Sequence, residues 1–179
     1  MKCYLERFCE KETELLYYWM MDPDDQNLFS STININSESL FRNWLQENMI
    51  MGFHDFFMIK NEENHSIGYV HNYDYSEVDG FCYICVYIAK EFRNTGIGGI
   101  AAIKFMKLLF EMYPLRKIYL TVYGYNLQSL NSNRKAGFTE EGKLKQAKFL
   151  NGVYYDIHYL SMSRTVFNKT LRKLVSSRE

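Results

Sequence analysis

Apolar positions along the chain alternate between a helical and a strand rhythm. From Glu12 to Met21, Leu15, Leu16, Trp19 and Met20 fall at helical spacing, and Asp22-Pro23 ends the run. A second helix follows, with Ser37 or Asn36 as its cap and Leu40, Phe41, Trp44 and Leu45 on its apolar face, continuing to Asn48 and Met49. Cys3 to Phe8 reads as a first strand. Three further β runs, Asp55 to Lys60, Ser66 to Tyr73 and Phe81 to Ile88, are separated by polar turns at 61–64 and 76–80, which predicts an antiparallel meander. Gly96 to Met112 returns to the helical period and is stopped by Pro114. Lys117 to Tyr123 is a buried strand, and Ser129 to Lys135 is a short helix ended by Gly137. Phe138 to Phe149 and Val153 to Met162 form two more strands joined at Asn151-Gly152, a hairpin turn signal. Arg164 to Glu179 is a basic tail with helical capacity.

Two prolines and no internal repeat give no place to divide the chain, so residues 1–179 are expected to form one α/β domain. Composition supports a substantial core, at 47% hydrophobic and 17% aromatic. Charge narrows the partners: 21 basic and 21 acidic residues cancel, so no general field draws the chain to nucleic acid or to an anionic membrane. No apolar run reaches the ~20 residues of a membrane span, and the first residues lack the apolar core of a signal peptide, which makes the cytoplasm the expected address. Four cysteines are too few for a disulfide scaffold. Cys82 and Cys85 form a C-x-x-C, but on a strand positions three apart point to opposite faces, so no metal is expected there.

The candidate chemistry lies at Arg93-Asn94-Thr95-Gly96-Ile97-Gly98, between a β run and a helix. A glycine turn opening a helix gathers free backbone N–H groups and the positive end of the helix dipole, which suits a pyrophosphate. Such a turn also serves plain strand-to-helix packing, so its context decides. Gly96 to Ala101 fits a relaxed G-x-G-x-x-A, but Lys117 to Tyr123 offers no acidic residue for a ribose, and no Walker string G-x-x-x-x-G-K-[ST] occurs.

Val86-Tyr87-Ile88 followed by Arg93 to Gly98 resembles the R-x-x-G-x-G acyl-CoA motif of the GNAT superfamily of N-acetyltransferases. Asn126-Leu127-Gln128-Ser129 and Arg134-Lys135-Ala136-Gly137-Phe138 resemble the N-x-x-S and E-K-x-G-F segment of the same superfamily. Glu141-Gly142, Asn151 to Asp156 and Tyr159 to Met162 are similar to the closing strands of the branch holding ribosomal-protein alanine, polyamine and amino-sugar acetyltransferases. The resemblance covers nearly the whole chain and is weakest before Phe53.

It implies an α/β fold with a mixed, mostly antiparallel central sheet flanked by helices and a splay between the fourth and fifth strands, with acetyl-CoA lying in the gap. Val86, Ile88, Arg93, Asn94, Gly96, Ile97, Gly98, Gly99, Asn126 and Ser129 would be the cofactor contacts, and no metal is needed. Tyr83 stands where many relatives carry a glutamate base, and Asn133 where they carry a tyrosine acid, so Tyr83 and Asn126 are the remaining catalytic candidates. His71, Asp74, Glu77 and Asp79 are further acid–base candidates. Trp19, Asp22, Asp24, Asp25, Phe29, Trp44 and the 53–57 cluster would wall the acceptor, a small-molecule amine or a protein N-terminus, with the acidic run attracting a cation. A non-catalytic acyl-CoA-binding or sensing module is the rival expectation, and the resemblance leaves a homodimer open.

Overall fold

The computed structural model describes residues 2–28, 35, 37–47 and 55–176. Among the described residues seven strands hydrogen-bond in the order β1-β2-β3-β4-β5-β7-β6, where β1 is Tyr4–Arg7, β2 Phe56–Lys60, β3 Ser66–Ser76, β4 Phe81–Ile88, β5 Lys117–Tyr123, β6 Thr139–Leu150 and β7 Val153–Ser163. β4 and β5 run parallel, while the β1–β2, β2–β3, β5–β7 and β6–β7 pairs are antiparallel. The helices flanking this mixed sheet are α1 Thr13–Met21, α2 Pro23–Gln26, α3 Glu38–Leu45, α4 Ile97–Met112, α5 Leu127–Lys135 and α6 Arg164–Ser176. The hydrophobic pattern predicts the antiparallel strands, and the mixed, mostly antiparallel α/β architecture is the one the family resemblance implies. Phe29, Asn36, Asn48, Met49 and Phe53 lie outside the described residues.

The chain forms two compact units, Met1–Tyr73 with Cys85–Phe105, and Asp74–Ile84 with Met106–Glu179. In the first, α1 and α3 bury Leu16, Trp19, Met20, Phe41 and Leu45 with Phe56, Met58, Tyr69 and Tyr87 of the strands. Asp22 stops α1 and starts α2: its carboxylate accepts from the Asp24 and Asp25 amides, and Pro23 supplies a first helical residue that needs no N–H partner. Ser37 caps α3 by accepting from the Leu40 amide at 3.4 Å. Gly68 is fixed by a close approach, since a Cβ there would stand 2.1 Å from the Tyr87 carbonyl oxygen.

In the second unit, β5 pairs with β7 along its whole length, Lys117↔Ser163 through Tyr123↔Ile157. Asn151 and Gly152 both take positive φ, 50° and 82°, as the type I′ hairpin requires. The basic tail is α6, and its first residue anchors it: Arg164 donates to the carbonyl oxygens of Phe110 at 2.6 Å, Tyr113 at 2.8 Å and Leu115 at 2.7 Å. Those carbonyls lie at and beyond the C-terminal end of α4, where acceptors lack intrahelical donors.

Candidate acyl-CoA site

β4 leads through a 3-10 turn at Lys90–Phe92 into the glycine turn and then into α4, 16 residues long. Asn94 and Gly96 take left-handed φ of 64° and 81°, which bends the chain sharply enough for the helix to start at Ile97. Thr95 steadies the bend: its hydroxyl donates to the Phe92 carbonyl at 2.7 Å and accepts from the Ile97 amide at 3.4 Å. Ile97 is buried and pins the first turn. The two remaining glycines differ in kind. A Cβ on Gly98 would meet Ile88 Cγ1 at 3.2 Å, so Gly98 packs α4 on β4, whereas a Cβ on Gly99 would meet nothing within 4 Å. No atom of the fold therefore stands over Gly99 in the first turn of α4, the end of a helix where backbone N–H groups lack intrahelical acceptors.

The β4–β5 ladder holds three pairs, Phe81↔Lys117, Cys82↔Ile118 and Tyr83↔Tyr119. Ile84 to Ile88 of β4, including the half-buried Val86 and Ile88, lie beyond that register. An extended ligand can add to such a strand edge through its own amides.

Arg93 turns its guanidinium inward. Nε donates to the Ile88 carbonyl at 2.8 Å and Nη2 to Asp25 Oδ2 at 2.7 Å, with the group 5.5 Å from the Tyr87 ring centre. Tyr87 donates its hydroxyl to the same Asp25 oxygen at 2.7 Å. Burial, aided by the Asp25 carboxylate, pushes the Tyr87 phenol well above its ordinary range. Lys90 meanwhile holds Asp22 at 2.8 Å and Asp24 at 3.0 Å. The Lys90 hydrogen bond lowers the Asp22 carboxyl. Asp22 and Asp24 are thus paired with Lys90 and Asp25 with Arg93, which weakens the field that the acidic run 22–25 presents to a cation.

Tyr83 occupies the last pair of the β4–β5 ladder, its ring stacked on Tyr119 at 5.2 Å. Burial raises its phenol, with Tyr159, Tyr119 and Asp74 adding to the shift, so Tyr83 carries its proton at neutral pH. Asn126 is the N-cap of α5: Oδ1 accepts from the Ser129 amide at 3.1 Å. The helix starts at Leu127, two residues before the predicted start, because Asn126 rather than Ser129 provides the cap. Ser129 lies in the first turn, where its hydroxyl accepts from Asn133 Nδ2 at 3.1 Å.

His71 is a buried member of an aromatic column, 5.8 Å from the Phe56 ring and 6.1 Å from that of Tyr69, and burial lowers its imidazole to about 4. Asp79 closes the β3–β4 turn with Ser76, while Glu77 and Asp74 are exposed. Trp19 and Phe57 belong to the buried core, and Trp44 stacks on Phe41. The linkage of Asp25, Tyr87 and Arg93 has no motif signature. Its one sequence signal is a strand tyrosine at an inward position, whose hydroxyl needs a buried acceptor. Among the described residues no cluster of His, Cys, Asp or Glu could hold a metal, and no helix is long and apolar enough to cross a membrane.

This geometry has counterparts among known proteins. The chain is 25% identical over 158 residues to an SPbeta prophage-derived uncharacterized N-acetyltransferase of Bacillus subtilis (strain 168), covering 82% of this chain and 89% of that protein. It is 23% identical over 148 residues to a spermidine N(1)-acetyltransferase of Vibrio cholerae, covering 80% of this chain and 76% of that one. Among solved structures, the spermidine N-acetyltransferase of Vibrio cholerae in complex with CoA and spermine superposes with a TM-score of 0.84 at 18% identity, over 93% of this chain and 98% of that one. A ribosomal L7/L12 alpha-N-protein acetyltransferase in complex with coenzyme A gives 0.80 at 20% identity, over 93% and 96%. At such identities the structural likeness speaks for the fold. The sequence itself matches the acetyltransferase (GNAT) domain over residues 2–139, a span that takes in the glycine turn, the edge of β4 and the α5 cap, and the chain accordingly belongs to the GNAT acetyltransferase family.

Proposed function

We propose that the chain is an acetyl-CoA-dependent N-acetyltransferase that moves acetyl directly onto a primary amine of a small molecule or a protein N-terminus. The observation that carries this reading is the glycine turn opening α4 with free space at Gly99, on the same β4 whose edge beyond Tyr83 leaves the β5 register. In it the amides of Asn94, Gly96, Gly98 and Gly99 face the pyrophosphate, with the positive end of the α4 dipole behind them. Val86 and Ile88 pair with the pantetheine arm through the β4 edge, and Asn126 and Ser129 meet the arm farther along.

The reaction needs a neutral amine nitrogen, of which only about one part in a thousand exists near pH 7 for an alkyl amine. That nitrogen attacks the thioester carbonyl carbon, a β4 amide steadies the oxyanion, and as the C–S bond breaks the nitrogen loses one proton and the thiolate takes one up, which balances the transfer. Tyr83, holding its proton, acts as a hydroxyl donor at the reacting centre and Asn126 as a neutral positioning donor. No metal takes part, and acetyl-CoA supplies the acyl group as co-substrate in the cytoplasm. One observation favours a second reading, a non-catalytic acyl-CoA sensor: Asn133, at the position of the relatives' tyrosine acid, donates to Ser129 and cannot deliver a proton.

Thiol release from acetyl-CoA separates the two. Spermidine, spermine, amino sugars, aminoglycosides and N-terminal peptides form the panel, with hydrolysis lacking an acceptor as blank. Acceptor-dependent release is expected. Absence of release from every acceptor, with calorimetry still registering acetyl-CoA binding, favours the sensor.

A further inference from the structure

The segment Asp22–Asp25 and the strand-to-turn connection Tyr87–Arg93 are joined by four side-chain linkages within one unit. Asp25, 1% exposed, receives Tyr87 Oη and Arg93 Nη2 on one oxygen, both at 2.7 Å, and Lys90 bridges Asp22 and Asp24. A carboxylate at that depth costs several kcal/mol unless it is paired and hydrogen-bonded. Its pairing is directional. Arg93 is held at both ends of its guanidinium, by Asp25 through Nη2 and by the Ile88 carbonyl through Nε, so neither the side chain nor the backbone that bears it can turn independently. The very next residue, Asn94, takes the left-handed φ of 64° that starts the glycine turn.

We infer that Asp25 is a positioning residue for the phosphate turn, holding Arg93 as a strut so that the amides beyond it are aimed before CoA arrives. The inference rests on the reading of the turn as a CoA site. It reverses the role that the charge of Arg93 would suggest, because a guanidinium spent on Asp25 and Ile88 orients the loop through its backbone. A turn already set in its bound shape spares the ordering cost that binding would otherwise carry.

The two roles predict opposite signs for one variant, read by calorimetry with CoA. If Asp25 positions the turn, Asp25→Asn loses the charge-assisted bond and CoA binds about tenfold more weakly, while Arg93→Gln weakens binding similarly and the double variant is no weaker than either single one. If Arg93 instead meets phosphate directly, Asp25→Asn releases the guanidinium and CoA binds as tightly or more tightly, which overturns the inference. Urea midpoints of the free proteins accompany each titration, so that a loss of affinity is scored only on folded protein. Should Asp25→Asn not fold, Arg93→Lys replaces it: an ammonium cannot span both acceptors, so the KM for acetyl-CoA should rise about fivefold with kcat held within about twofold. An unchanged KM rejects the strut. A wild-type chain that fails to bind CoA sinks the site itself, whereas wild-type binding with an unmoved Asp25→Asn sinks only the positioning role.

Discussion

Gly99→Asp separates phosphate binding from folding at a single position. A Cβ at Gly99 meets no atom within 4 Å and the residue is exposed, so the substitution forces no repacking. It stands in the first turn of α4, where a carboxylate is favourable by about 0.3–1 kcal/mol, and replacing a helical glycine adds a comparable gain. The free protein should therefore be as stable as wild type or slightly more so. A phosphate seated on that turn would meet the new charge at about 5 Å, a repulsion of about 0.8 kcal/mol per unit charge in water and about 3 kcal/mol at the effective dielectric near a protein surface. With the two charges of a pyrophosphate the expected loss of CoA affinity is tenfold or more. Calorimetry with CoA at fixed ionic strength measures it, alongside urea melts of the free protein, and Gly99→Lys is the control of opposite charge that should bind at least as well as wild type. Affinity within about threefold of wild type for Gly99→Asp would refute the placement of phosphate at this turn. A parallel fall in stability and affinity would refute the packing argument instead. Gly98 is the poorer probe, because its neighbour Ile88 would have to give way.

Three further outcomes are expected. Tyr83→Phe should keep turnover within about tenfold if the hydroxyl only lines the reacting centre, and a loss near 100-fold in kcat would make it a proton-transfer group. Arg164→Ala removes three charge-assisted bonds to carbonyls around the α4 end and should cost about 2–4 kcal/mol, a fall of about 1–2 M in urea midpoint; a change below about 0.5 kcal/mol would show that water satisfies those carbonyls equally well. His71, lowered to about 4 by burial, leaves the native state binding fewer protons than the unfolded chain between about pH 4 and 6.5, so stability falls on acidification through that window by about 1.4 kcal/mol per unit. His71→Gln should flatten that slope in urea melts at pH 7, 5.5 and 4.5, and equal slopes would show that the imidazole titrates normally.

The elements were legible wherever one local rule decided them. Pro23 and Pro114 marked helix ends, Asn151-Gly152 marked the hairpin, and the alternation from Phe81 to Ile88 marked β4. What stayed hidden depends on pairs far apart in sequence. Asp25 read as one member of an acidic run, and its burial follows only from Tyr87 and Arg93, 62 and 68 residues away. The α5 start was displaced because Asn and Ser both cap helices, and spacing alone does not choose between Asn126 and Ser129. Arg164 looked like one more basic residue of a tail until three carbonyls converged on it.

A zero net charge and a CoA site are compatible if the phosphates are met by the backbone. The sequence holds as many acids as bases, and the cations that lead into the glycine turn along the chain, Lys90 and Arg93, are paired with Asp22, Asp24 and Asp25. On the proposed reading the attractive field at the turn comes from amides and the dipole of α4, which act within the first helical turn and fade beyond it. Such a site draws little from long-range steering and depends on how accurately its amides are aimed. An ion pair with a buried carboxylate, which holds Arg93 at the mouth of the turn and is costly to desolvate, gains a physical reason in that dependence. It also accounts for which signals the sequence carried: glycine placement and strand pattern report backbone geometry, whereas a count of basic residues would have given no hint of an anionic ligand.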